Sequence, residues 1–178
     1  MKSISFIVVI LLSFSSFSQL KTLKLRNAVV IGQFDKEDER FTIESTMTGL
    51  LTEFNIKTAP SVNYLKTGEP LNNISNDSLM NVLKEKGFDT YVIVSVRGYD
   101  RSYKPSTIKY SFVEKLAQGT LREIYRNAAV SVTFEFAFYR NGEMVAIDQV
   151  KCNNISDKES VLKRFVKKTE KRIATKWR

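Results

Sequence analysis

The sequence predicts a single α/β domain: a mixed sheet of about five strands with a long β-hairpin, covered by about three helices, the last of them basic and amphipathic. Three observations carry this. Ala28-Val29-Val30-Ile31-Gly32 and Tyr91-Val92-Ile93-Val94-Ser95-Val96 are apolar runs of the kind buried on both faces of a sheet. Helical patterns lie between them, which implies a parallel crossover. A third stretch, from Val130 to Tyr139, alternates apolar with polar residues and leads into Asn141-Gly142, a dipeptide suited to a type I′ hairpin turn.

Taken in order, the first run is a central strand. Asp35 is placed to cap the helix that follows, with Glu37, Asp38 and Glu39 where the helix dipole favours anions. Ile43, Met47, Leu50, Leu51 and Phe54 recur at helical spacing and form its apolar stripe. The segment from Ile56 to Leu65 contains Pro60 and alternates weakly, so it is an edge strand at most. Asn76 or Ser75 caps a second short helix, with Leu79, Met80, Val82 and Leu83 facing inward and Gly87 as its left-handed terminus.

The second run follows at once, and then a segment from Gly98 to Asn127 too long for a tight hairpin. It is expected to project as a loop or to extend the two strands, its tyrosines packed locally. In the third strand Val130, Val132, Phe134, Phe136 and Phe138 make a core face, while Ser131, Thr133, Glu135, Ala137 and Tyr139 make a wetter one. A return strand runs from about Met144 to Val150, and Asp157 or Ser156 caps a final helix to Trp177. The expected strand order is edge, first, second, third, return.

Residues 1–18 have the form of a cleavable export signal: Lys2, the apolar run Ile4 to Leu12 broken only by Ser5, then small residues at Ser16 and Ser18. Cleavage there leaves 160 residues: a polar lead (19–26) and one domain (27–178). The expected address is the periplasm or cell envelope. No cysteine stands in the signal region, so the usual lipid attachment site is missing and a soluble product is expected. Cys152 is the one cysteine; it excludes an internal disulfide and is expected as a buried thiol rather than an intermolecular bridge.

The formal charge of +9 is concentrated at one end. Residues 19–150 hold 17 basic and 16 acidic side chains, whereas residues 151–178 hold 10 and 3. For an exported chain this points to another envelope protein, anionic lipid or wall polymer as partner, and not to nucleic acid. The sequence has no histidine, which excludes a His-based triad and a His metal site. One glycine in Ile31-Gly32-Gln33-Phe34-Asp35 falls short of a dinucleotide fingerprint. No cofactor or metal is expected. A hydrolase working through carboxylates such as Asp35, Asp100 and Glu135 is the enzyme alternative, although no spacing pairs two of them.

Two surfaces are candidates for partner binding. In the long segment they are Tyr99, Arg101, Tyr103, Lys104 and Tyr110. In the final helix Lys163, Arg164, Lys167, Lys168 and Lys171 lie opposite a stripe of Leu162, Phe165, Val166, Thr169, Ile173 and Trp177. Either that stripe docks on the sheet or it enters a membrane interface.

The helix, glycine and strand of Leu83-Lys84-Glu85-Lys86-Gly87-Phe88-Asp89-Thr90-Tyr91-Val92-Ile93-Val94-Ser95-Val96, and the hairpin from Phe134 to Val145 leading into a terminal helix, resemble a group of bacterial envelope domains. These are the amino-terminal domain of the Tol-system propeller protein, the penicillin-binding-protein activator lipoproteins and the periplasmic part of the curli export channel. The resemblance covers most of residues 27–177 and consists of topology and hydrophobic pattern. It implies a non-catalytic domain that binds other envelope proteins or forms part of an assembly. The chain departs from the lipoproteins in lacking the lipidated cysteine and from the Tol-system protein in lacking a propeller.

Overall fold

The computed structural model describes residues 23–178 apart from positions 67, 105, 119 and 120; the expected signal, 1–18, and positions 19–22 lie outside the described residues. Five strands form one sheet in the order β2-β1-β3-β4-β5. They are β1 (Asn27–Gln33), β2 (Lys57–Pro60), β3 (Thr90–Tyr99), β4 (Ser131–Arg140) and β5 (Glu143–Asn153). The order and the parallel pairing of β1 with β3 are as the sequence predicts, and β2 also pairs parallel with β1. β5 is longer than expected, because it pairs with β4 as far as Asn153.

Four helices cover the sheet: α1 (Glu37–Glu53), α2 (Asp77–Glu85), α3 (Phe112–Ala117) and α4 (Lys158–Arg172), the last continued by a π-turn over Ile173–Trp177. α1 leads from β1 to β2 on one side, and α2 leads from β2 back past β1 to β3 on the other. Right-handed crossovers that step in opposite directions put their helices on opposite faces. Accordingly Ile43, Met47 and Leu51 of α1 pack with Val161 and Phe165 of α4 on one face, while Leu83 of α2 and Phe112 and Leu116 of α3 pack on the other.

Asn76 caps α2 through a bond from the Ser78 amide at 3.0 Å, Gly87 ends it at φ 80°, and Asn141-Gly142 turns with φ of 51° and 78°. Asp157 caps α4, accepting from the Ser160 amide at 2.7 Å. Asp35 does not cap α1: its N-cap is Lys36, which makes no side-chain cap bond. Leu23 and Leu25, expected in a polar lead, are buried, and their amides donate to the carbonyls of Lys176 and Trp177 at 3.0 and 2.7 Å. The folded unit therefore takes in the end of that lead.

Two further expectations give way. The 98–127 segment does not project; it folds back over the sheet and contributes α3, whose Phe112 ring sits 4.8 Å from Tyr91 and 5.4 Å from Tyr139. For that reason the second face of β4 is not wet. Ser131, Thr133, Glu135, Ala137 and Tyr139 are all buried, whereas Val130, expected to begin the core face, lies just outside the strand and is exposed. α4 docks by its apolar stripe: Phe165 packs on Phe134 at 4.7 Å, and Trp177 on Phe136 and Phe138 at 4.9 and 5.0 Å. Those side chains are fully buried, so the apolar stripe of α4 faces the sheet. Val161 takes the buried place expected of Leu162. Among the described residues no helix is long and apolar enough to cross a bilayer.

Candidate functional site

β5 is an outer strand, and every second carbonyl along such a strand points away from the sheet. α4 runs back along it. Four helical residues advance about 6 Å, close to the roughly 6.8 Å between alternate residues of a strand. A row of helix residues spaced by four therefore keeps step with the open carbonyls. Arg164, Lys168 and Arg172 form that row: Lys168 Nζ donates to the carbonyl of Lys151 and Arg172 Nη2 to that of Gln149 at 3.2 Å, two alternate residues of β5, while Arg164 Nε donates to the Asn154 carbonyl just past the strand's end at 3.1 Å. Part of the predicted basic face thus has a structural task.

Beside this row lie two hollows that share Lys151 and Arg172. One, of about 430 Å³, is lined by Lys168, Lys171 and Thr175 of the terminal helix and by Val150 and Asn153 of β5. The other, of about 450 Å³, brings Tyr103 from the long segment to Thr133, Gln149 and Lys176. Together they are lined by five cations, Lys151, Lys168, Lys171, Arg172 and Lys176, and one carboxylate, Asp148. Asp148 is already engaged: its Oδ2 accepts from the Trp177 indole at 3.0 Å and lies 3.7 Å from Arg172 Nε. The field of this groove is strongly positive.

The loop and helix candidates are therefore partly one surface. Tyr103 is held there because Gly98 has no side chain; a Cβ at that position would fall inside the Tyr103 hydroxyl. Arg101 and Lys104 are exposed nearby, and the Lys104 carbonyl accepts from Gln149 Nε2 at 3.4 Å. Lys163 and Lys167 point to solvent and line neither hollow. Tyr99 is partly buried: its hydroxyl donates to the Glu123 carbonyl at 2.5 Å beneath the Arg126 guanidinium, and burial pushes its phenol up to about 12. Lys151, Arg172 and Lys176 complete the groove; sequence inspection shows them as basic but not as neighbours of Tyr103.

Tyr110 belongs to a separate cavity of about 300 Å³, over the carboxyl ends of β1 and β3. A polar row crosses four strands beneath it, with Gln33 beside Ser95, Ser95 beside Glu135 and Glu135 beside Gln149; the first three line this cavity and Gln149 lines the groove at β5. Lys115 of α3 reaches Glu135 Oε1 at 3.2 Å, and Gln149 Nε2 reaches Oε2 at 3.2 Å. The side-chain amide of Gln33 holds the end of α3 by donating to the carbonyls of Lys115 and Gln118 at 3.0 and 3.1 Å. No two of the candidate acids Asp35, Asp100 and Glu135 line a common cavity among those described. Asp100 clamps the start of β4, accepting from the amides of Val130 and Ser131 at 2.9 and 3.0 Å. Among the described residues no group of three His, Cys, Asp or Glu is placed to hold a metal.

The fold and these surfaces define a three-layer α/β domain with a basic groove at one sheet edge and a polar cavity at the strand ends. No family model matches the sequence, and no curated protein matches it. Among solved structures the chain is similar in fold to the lipoprotein GNA1162 from Neisseria meningitidis, with a TM-score of 0.46 and 13% identity over 84% of this chain and 97% of that one. It is likewise similar to PelC from Paraburkholderia phytofirmans, solved as a dodecamer, with a TM-score of 0.45 and 13% identity over 88% and 92% of the two chains.

Proposed function

We propose that this chain is an exported, non-catalytic binding domain of the bacterial periplasm or cell envelope, and that it docks an acidic segment of another envelope protein in the groove along β5. One observation carries the reading: five cations line two adjoining hollows, three of them (Lys151, Arg172 and Lys176) in the hollow that holds Tyr103, and the one carboxylate there is occupied from within the fold. Such an arrangement attracts acidic side chains and gives them an aromatic surface to pack on. A concave groove suits a protruding segment of protein better than a flat lipid surface, and Phe165 and Trp177, which would anchor α4 in lipid, are spent in the core. Two of the three candidate acids of a hydrolase are engaged, Asp100 as a turn clamp and Glu135 in an ion pair.

The test is a triple variant, Lys151→Gln, Lys171→Gln and Lys176→Gln, none of which guards the strand edge by its side chain. Crosslinking in the source organism identifies the partner, and its affinity is then measured at low and high salt. The expected outcome is steep salt dependence and weakening by at least roughly tenfold in the triple variant, with a Lys163→Gln, Lys167→Gln control binding as the parent does. Equal affinity of parent and triple variant overturns the groove as the docking site.

A further inference from the structure

We infer that the cavity at the carboxyl ends of β1 and β3 is a binding site for a small multi-oxygen anion, a carboxylate- or phosphate-bearing group held between Arg97, Lys115 and Arg122. This is a second site. It shares no lining residue with the groove at β5 and does not rest on the groove's proposed role.

Its position follows from topology. The chain leaves β1 toward β2 on one side and returns to β3 on the other, so the connections part above the seam between β1 and β3 and leave a crevice there. Open α/β sheets place ligands at such points. Here Gln33 ends β1, Ser95 and Arg97 lie late in β3, and α3 closes the crevice from above.

Its construction departs from what stability alone favours. The next row of the same face is Ile31, Ile93, Ala137 and Ile147, an apolar set on the same strands. The row of Gln33, Ser95, Glu135 and Gln149 replaces it with polar groups, and Glu135 with Lys115 makes a buried ion pair. Apolar residues of similar volume commonly stabilise a fold as well as such a pair or better. The polar row is accounted for if the space above it receives a polar ligand.

Charge then selects the ligand. Arg97, Lys115 and Arg122 face a single lining carboxylate, Glu135, and Lys115 neutralises that one at 3.2 Å. The two guanidinium groups make only long contacts: Arg97 Nε lies 3.8 Å from Glu135 Oε2, and Arg122 Nη1 is 3.4 Å from the Val96 carbonyl. A guanidinium carries five N–H donors in a fork that fits carboxylate and phosphate oxygens, so both retain donors for a ligand. The Arg97 side chain is 43% exposed and forms the entrance, while Lys115 lies at the buried end.

The experiment is a titration of ¹⁵N-labelled protein, purified as the cell exports it, with D-glucuronate and separately with sn-glycerol 3-phosphate at constant ionic strength. The expected result is a saturable set of amide shifts at Gln33, Ser95 to Arg97, Lys115 and Arg122 for at least one of them; the tighter compound tells a carboxylate source from a phosphate one. The double variant Arg97→Gln, Arg122→Gln, which removes two part-exposed side chains, is expected to keep its thermal midpoint and bind at least tenfold more weakly. No saturable shift from either compound, shifts that gather instead at Lys171 and Lys176, or a double variant that binds as tightly as the parent overturns the site.

Discussion

The ammonium of Lys115, on the short helix α3, lies 3.2 Å from the carboxylate of Glu135, in the middle of β4, and both side chains are buried. The pair fixes the returning loop to the sheet at one point, as the ring of Phe112 does at another. Removing one partner leaves a buried charge uncompensated. Lys115→Met or Glu135→Leu alone is expected to lower stability by about 3–5 kcal/mol, whereas the double variant recovers most of that loss. Urea denaturation of the four proteins measures the coupling; simple additivity of the two losses contradicts it.

Cys152 is fully buried in β5 under α4, and burial pushes its thiol up to about 11. The thiolate is the reactive form, so alkylation by iodoacetamide at neutral pH is expected to proceed only as fast as the domain opens. Mass spectrometry over time in the absence and presence of urea separates the cases. Rapid modification of the folded protein contradicts a buried structural thiol.

Lys168 and Arg172 occupy open carbonyls of β5, and Arg164 that of Asn154 just past its end. An exposed strand edge recruits other strands. Replacing the three by serine is expected to produce concentration-dependent self-association in light scattering or sedimentation, while Lys163→Ser, Lys167→Ser stays dispersed. A monomeric triple variant contradicts the guarding role.

Asp157 and Asp100 have carboxyls held below the usual range, Asp157 chiefly by the Ser160 amide and Asp100 chiefly by the Ser131 amide. A carboxylate whose pKa is lower in the folded chain than in the unfolded one contributes its stability above about pH 4 to 5 and loses it as pH falls through the folded value. Asp157→Ala is therefore expected to melt below the parent at neutral pH, with the gap closing in acid. A gap that widens in acid contradicts the cap.

The sheet was legible because β1 and β3 are apolar on both faces and β4 carries three phenylalanines at alternate positions; burial on both faces leaves those runs few other places to go. The covering of β4 was not legible. Ser131, Thr133 and Glu135 look like a solvated face in sequence, yet all three are buried: Lys115 of α3, six residues drawn from a polar tyrosine-rich segment, reaches over Glu135, and Tyr103 of the same segment lies beside Thr133. The polar cavity was hidden for a related reason. Of Gln33, Ser95, Glu135 and Gln149 only Glu135 stands out in its own strand, as a candidate acid, and the four become one row only when the register of four strands is known. In α4 the spacing of Arg164, Lys168 and Arg172 is visible in sequence, but the carbonyls they meet are not.

The docking role of the groove is tested most directly by placing a photocrosslinking amino acid at Tyr103 or Lys171 in the source organism, with Val113, exposed on α3, as the control position. The account predicts that one envelope protein crosslinks through an acidic segment from Tyr103 and Lys171 but not from Val113, and that Gly98→Ala, by displacing Tyr103, and the triple Lys151, Lys171, Lys176 glutamine variant both abolish it. A crosslink that persists in the triple variant, or that arises equally from Val113, contradicts the account.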